Sequence, residues 1–252
     1  MLGTVFRRIV VCVAIGWGAA NAWAAQVTVA VAANFSAVAQ KIAAHFQRDT
    51  GHQVVLVPGS TGALYAQIRH GAPFQVLLSA DQDTPRKLVE EGFAVRGSRY
   101  TYATGRLALW SKSSEGVDPQ GQVLRASGLQ RLAIANPKLA PYGAAAVQAL
   151  TALGLWPALQ SKVVQGENIT QAHQFVQTGN APMGLVAWSQ IWVDGQLSAG
   201  SAWLVPEHLH APLHQDAVLL KPGLDQPAAT AWLAYLRQPA AQAIIRAHGY
   251  QL

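Results

Sequence analysis

QVTVAVAANFSAVAQKIAAHF, residues 26–46, changes its period halfway along. Val27, Val29 and Val31 alternate with Thr28 and Ala30, a two-residue repeat rich in β-branched side chains that predicts a strand. From Phe35 onward the apolar positions Phe35, Val38, Ile42 and Phe46 recur at helical spacing. The stretch therefore reads as a strand running straight into a helix, with Asn34 where an N-cap belongs. A helix start leaves main-chain N–H groups without partners and carries the positive end of the helix dipole. Such a turn holds an oxyanion without needing a cationic side chain.

The device repeats. Residues 54–57 (VVLV) predict a second strand, PGSTG at 58–62 a tight turn, and 63–70 a helix closed by Gly71. The turn adds two hydroxyls, Ser60 and Thr61, to the free N–H groups. Two such units in parallel place both turns at one edge of a sheet, where open α/β folds bind ligands. Read singly, either turn is an ordinary helix cap.

The first 24 residues read as a secretory leader. Arg7-Arg8 open it, residues 9–18 are apolar, and Ala22-Trp23-Ala24 is a small-x-small cleavage signal. Cys12, the one cysteine of the chain, lies inside this segment and departs with it. A chain cleaved after Ala24 has no thiol for a disulfide, a metal or catalysis. Removing Arg7 and Arg8 from 18 basic residues leaves 16 against 12 acidic ones, a formal charge of +4. These charges are scattered, with no Lys/Arg run, so nucleic acid is not the expected partner; the mild positive field suits small anions. No later stretch is apolar for long enough to span a bilayer, and the expectation is a soluble, exported protein.

Along the rest of the chain strands alternate with helices. Residues 73–78 predict a strand, and 84–91 a helix with Thr84 as cap and Pro85 at its first position. Residues 100–111 predict one strand region, followed by a polar excursion over 112–128. Further strands are expected at 132–135, 162–164, 183–186 and 217–220. Helices are expected at 144–153, from about 170 to 178, at 226–237 and at 239–248. Strands again enter helices through turns at Tyr142 and at Asn168-Ile169. With no internal repeat or low-complexity linker, the order implies an α/β fold whose four turns face one another if the chain forms two lobes.

Catalytic signatures are absent. There is no Gly-x-Ser-x-Gly elbow, no His-Glu-x-x-His, no phosphate-binding Gly-Lys-Ser/Thr loop and no Gly-x-Gly-x-x-Gly turn. Asp81 and Asp83 read as strand-end and turn residues, lacking the third carboxylate and loop glycine of a calcium site. His208, His210 and His214 form one histidine cluster, with Glu207 and Asp216 the carboxylates nearby; its plain reading is a solvated loop, its alternative a zinc or copper site. An oxyanion held by neutral N–H and O–H donors is the coherent ligand. Each charge-assisted bond contributes about 1.5–3 kcal/mol, and a rigid ring of donors selects by size.

Four motifs then carry a resemblance: AANFS at 32–36, PGSTGALYAQI at 58–68, GAPFQVLLSAD at 71–81 and NPKLAPYG at 136–143. Across residues 27–250 the chain resembles the periplasmic molybdate-binding proteins of molybdate ABC transporters. The resemblance implies a two-lobed type II periplasmic-binding-protein fold, no cofactor, and molybdate or tungstate held by neutral donors. It places ligands at Asn34, at Thr61 by hydroxyl and N–H, and at the main-chain N–H groups of Tyr142 and Ile169, with Ala33 and Ser60 beside them. Where some members have a tyrosine hydroxyl, residues 184–187 (GLVA) supply Ala187, which marks a branch relying on asparagine at the first turn.

It also implies a periplasmic monomer serving an inner-membrane ABC permease. One lobe would comprise 26–103 and 215–252, the other 104–214, with hinges near Thr104 and His214. The competing readings are a binding protein for sulfate or a phosphonate, a tetrapyrrole-making deaminase, and a sensor or regulator. The deaminase needs a cofactor-anchoring cysteine that the mature chain lacks, and the regulator needs an attached segment that the sequence does not show.

Overall fold

The computed structural model describes residues 25–252; the expected leader, 1–24, lies outside the described residues. The first element, β1 (Gln26–Ala32), is followed by α1 (Ser36–Thr50), β2 (Gln53–Gly59), α2 (Thr61–Arg69), β3 (Val76–Leu78) and α3 (Asp83–Glu90). Then come β4 (Tyr100–Gly105), β5 (Leu107–Ser111), β6 (Leu132–Ala135), α4 (Pro141–Ala152), α5 (Trp156–Leu159), β7 (Val163–Gly166), α6 (Ile169–Gln177) and β8 (Gly184–Ala187). A short hairpin, β9 (Trp192–Val193) and β10 (Gln196–Leu197), precedes β11 (Ser201–Leu204), β12 (Leu213–Leu219), α7 (Pro227–Tyr235) and α8 (Pro239–Ala247).

Two five-stranded sheets organise the chain. One has the order β2-β1-β3-β12-β4, the other β11-β5-β8-β6-β7. β1 lies parallel to both β2 and β3, so it is covered on both faces. Val27, Val29 and Val31 pack with Phe35, Ile42, Phe46 and Trp232 on one side. Ala30 packs with Leu64, Ile68 and Leu77 on the other. In the second sheet α6 lies across β6, β7 and β8. The α/β, two-lobed architecture expected from the sequence is what the chain adopts.

Several local expectations need correction. Residues 100–111 are two strands: β4 pairs with β12 in the first sheet and β5 with β8 and β11 in the second, the chain passing between sheets at Arg106. Strand pairing carries the first sheet to Gly105 and takes it up again at Leu213. α3 starts at Asp83, and its cap is not Thr84. The Asp81 carboxylate accepts the Thr84 N–H at 2.8 Å instead. Asn34 is not an N-cap either. It sits inside a 3-10 turn, Ala33–Phe35, and α1 begins after Phe35 with no side-chain cap bond. The buried amide is drawn away from the helix start by partners in the distant C-terminal segment.

Candidate functional site

The four strand-to-helix turns meet. Ala32, Ala33 and Asn34 after β1, Gly59, Ser60 and Thr61 after β2, Ala140, Pro141 and Tyr142 opening α4, and Asn168 and Ile169 opening α6 line one small chamber with Ala80. Its cavity volume is about 10 Å³. All six residues singled out from the sequence (Ala33, Asn34, Ser60, Thr61, Tyr142 and Ile169) are on its wall, and all are buried. Among the described residues no Asp, Glu, Lys or Arg lines it.

Each turn leaves a particular donor spare. At α6 the Asn168 side chain accepts the N–H groups of Thr170 at 3.0 Å and Gln171 at 3.1 Å, so the unclaimed N–H at this helix start is that of Ile169. At α4, Pro141 has no N–H, and the Ala140 carbonyl takes those of Gly143 at 2.9 Å and Ala144 at 3.0 Å. That leaves Tyr142. At α2 the Thr61 hydroxyl accepts the Ala80 N–H at 3.1 Å, which turns its own proton elsewhere. The neighbouring Gly62 N–H crosses the cleft to the Leu139 carbonyl at 2.8 Å, leaving the Thr61 N–H unclaimed by its own helix. The resulting ring is built from neutral N–H and O–H groups at helix starts, a setting that favours an anion.

Asn34 behaves differently from the others. Its amide NH2 donates to Gln215 Oε1 and to Tyr250 Oη, each at 2.9 Å, and its carbonyl accepts from Tyr250 Oη at 3.0 Å. Both amide protons are therefore engaged, and the groups the first turn can turn to the chamber are main-chain N–H groups. Gln215 continues the network, donating from Nε2 to Tyr142 Oη at 3.2 Å. Tyr102 Oη lies 3.0 Å from Gln215 Oε1. Burial pushes the Tyr250 phenol up to about 12 and those of Tyr142 and Tyr102 well above the ordinary value. The hydroxyls therefore stay neutral at ordinary pH.

Gln215, Tyr250, Tyr102 and Ser189 are the residues that sequence reasoning missed. Their partners lie far away in the chain, and no local motif marks them. Ala187, at the end of β8, is fully buried and offers no hydroxyl. The histidine cluster does not assemble: among the described residues no three His, Cys, Asp or Glu side chains gather as a metal site. His210 Nδ1 lies 2.8 Å from the Ala211 carbonyl, and His214, on β12, lies 3.0 Å from the Thr104 hydroxyl. Asp81 is occupied by its cap bonds, and burial raises its carboxyl above the ordinary value.

Known proteins resemble this chain over most of its length. The molybdate-binding protein ModA of Azotobacter vinelandii is 54% identical over 97% of this chain and 97% of its own length. That of Rhodobacter capsulatus is 51% identical over 90% and 88%. Among solved structures, an Azotobacter vinelandii periplasmic molybdate-binding protein superposes with a TM-score of 0.87 at 42% identity, covering 90% of this chain and 99% of that one. Residues 27–251 match the family described as bacterial extracellular solute-binding proteins, and the chain belongs to that family.

Proposed function

We propose that this protein captures molybdate outside the cytoplasm and delivers it to an ABC permease in the inner membrane. One observation carries the reading: four helix starts from two sheets surround one buried chamber with neutral donors and, among the described residues, no charged side chain. The similarity to molybdate-binding proteins over nearly the whole chain supports the choice of ion. Membership of a solute-binding family makes the chain a binder, not an enzyme.

In this reading the ligands are the N–H and hydroxyl of Thr61, the N–H groups of Tyr142 and Ile169, and the first-turn main chain at Asn34 with Ala33. Ser60, beside Thr61 on the chamber wall, is a further oxyanion ligand in this reading. Tungstate, with the same charge and shape, binds as molybdate does. The two lobes, 26–103 with 215–252 and 104–214, rotate about the paired crossings beside β4 and β12, and closure brings the second lobe's donors onto an ion already held by the first. The protein works as a monomer in the periplasm, exported by the leader at 1–24.

Isothermal titration of the mature protein with molybdate, tungstate, sulfate and a phosphonate tests this. The expected result is tight one-to-one binding of the first two and no sulfate heat. Sulfate or phosphonate binding as tight as molybdate would keep the oxyanion site and overturn the substrate.

A further inference from the structure

Ser189 belongs to the second sheet's side of the cleft, in the 3-10 turn Trp188–Gln190 that follows β8. Its hydroxyl nevertheless lies 3.2 Å from the Asn34 carbonyl and 2.9 Å from Tyr250 Oη, both of the first lobe. With the bond from Tyr250 to the Asn34 carbonyl, these three groups close a buried triangle behind the first turn. The turn that carries Ser189 is itself braced. Gln190 accepts the Ala187 N–H at 3.0 Å and donates to the Ile169 carbonyl at 3.3 Å, tying it to the start of α6.

We propose that Ser189 is a positioning residue for anion capture, a hydroxyl from the second lobe that fixes the Asn34 main chain only when the cleft is shut. The inference rests on the oxyanion reading of the chamber. Its physical basis is the division of partners between lobes. Tyr250 and Asn34 are both in the first lobe, so their mutual bonds survive opening. Ser189 leaves with the second lobe, and on opening its hydroxyl and the freed acceptor return to water. Ser189 therefore adds to the closed state alone. A bond made only in the closed state slows opening and release but leaves encounter with the open cleft unchanged. Thr170, the residue after Ile169, approaches the Ala33 carbonyl across the same seam at 3.3 Å, so two successive first-turn carbonyls are held from the opposite lobe.

The test compares the unsubstituted protein with Ser189→Ala and Tyr250→Phe, using molybdate and following tryptophan fluorescence in stopped flow. Trp188, next to Ser189 and stacked on Trp192 at 4.8 Å, is a natural reporter. Ser189→Ala should release molybdate about tenfold faster, the size of one to two net hydrogen bonds. Its association rate and its melting temperature without ligand should match the unsubstituted protein. Tyr250→Phe, which breaks the triangle from within one lobe, should also lower the ligand-free melting temperature. An unchanged release rate in Ser189→Ala would overturn the role, as would a ligand-free melting temperature lowered as far as in Tyr250→Phe. Failure of the unsubstituted protein to bind any oxyanion would overturn the anion reading and this role with it.

Discussion

Thr61 and Tyr142 sit on the same chamber wall but offer different parts of themselves. Thr61 is 1% exposed and its hydroxyl accepts the Ala80 N–H; in the proposed site its own proton goes to the anion. Thr61→Val keeps the shape and removes both. The Ala80 N–H is then buried without a partner, and the ligand loses one charge-assisted bond of about 1.5–3 kcal/mol. Molybdate affinity should fall by roughly 10- to 100-fold in calorimetric titration, while Thr61→Ser stays within a few-fold of the native value. In the proposed site Tyr142 contributes through its main chain, so Tyr142→Phe, which keeps the N–H and loses only the bond from Gln215, should change affinity far less. A large loss in Tyr142→Phe with none in Thr61→Val would reverse the assignment of donors.

Those donors are only as well placed as the turns behind them, and some turns were readable before others. The period change at residues 26–46 gave away β1 and α1 because Val27, Val29 and Val31 must face one core and Phe35, Ile42 and Phe46 must cover it. The break at Gly105 was hidden. Residues 100–111 stay strand-like on both sides of it, and only pairing with β12 and then β8 shows the change of sheet. β11 was also missed, since its four half-buried residues form an edge strand of mixed character. The capping role assigned to Asn34 failed for a different reason: Tyr250 and Gln215, 216 and 181 residues away, compete for its amide. Long-range partners of that kind leave no trace in a local pattern.

Gly143 is a turn residue whose necessity can be tested. A Cβ there would lie 2.3 Å from the Ala135 carbonyl oxygen and 2.8 Å from Asn136 C, both main-chain atoms that cannot swing aside. Gly143→Ala should push the start of α4 off the end of β6, costing about 1–3 kcal/mol in urea unfolding. The Tyr142 N–H would move with it, and affinity should drop about tenfold or more. Native stability together with native affinity would show that α4 does not need this close approach.

Between the lobes the chain has placed phenols and amides where many anion sites have cations. Tyr142 from one lobe meets Gln215, Tyr102, Asn34 and Tyr250 from the other in a continuous hydrogen-bonded array. Gly105 makes room for it, since a Cβ there would lie 2.0 Å from Tyr142 Oη. Because none of the groups around the chamber changes charge near neutrality, the protein's donors give no pH dependence to capture until the phenols ionise. The stability curve has a definite sign at that end. In the unfolded chain tyrosines lose their protons near pH 10, whereas burial holds Tyr250 up to about 12 and raises Tyr142 and Tyr102 as well. Above pH 10 the unfolded state therefore binds fewer protons than the native state, and stability falls as pH rises. Urea unfolding should show a plateau through about pH 9.5 and then a decline approaching 1.4 kcal/mol per pH unit for each phenol held protonated. Tyr250→Phe lowers the plateau by the hydrogen bonds it removes, yet its alkaline decline should be shallower by about one proton. An unchanged alkaline slope in that variant would mean that the Tyr250 hydroxyl ionises in the folded protein as readily as in the unfolded chain, and that the array does not exclude water.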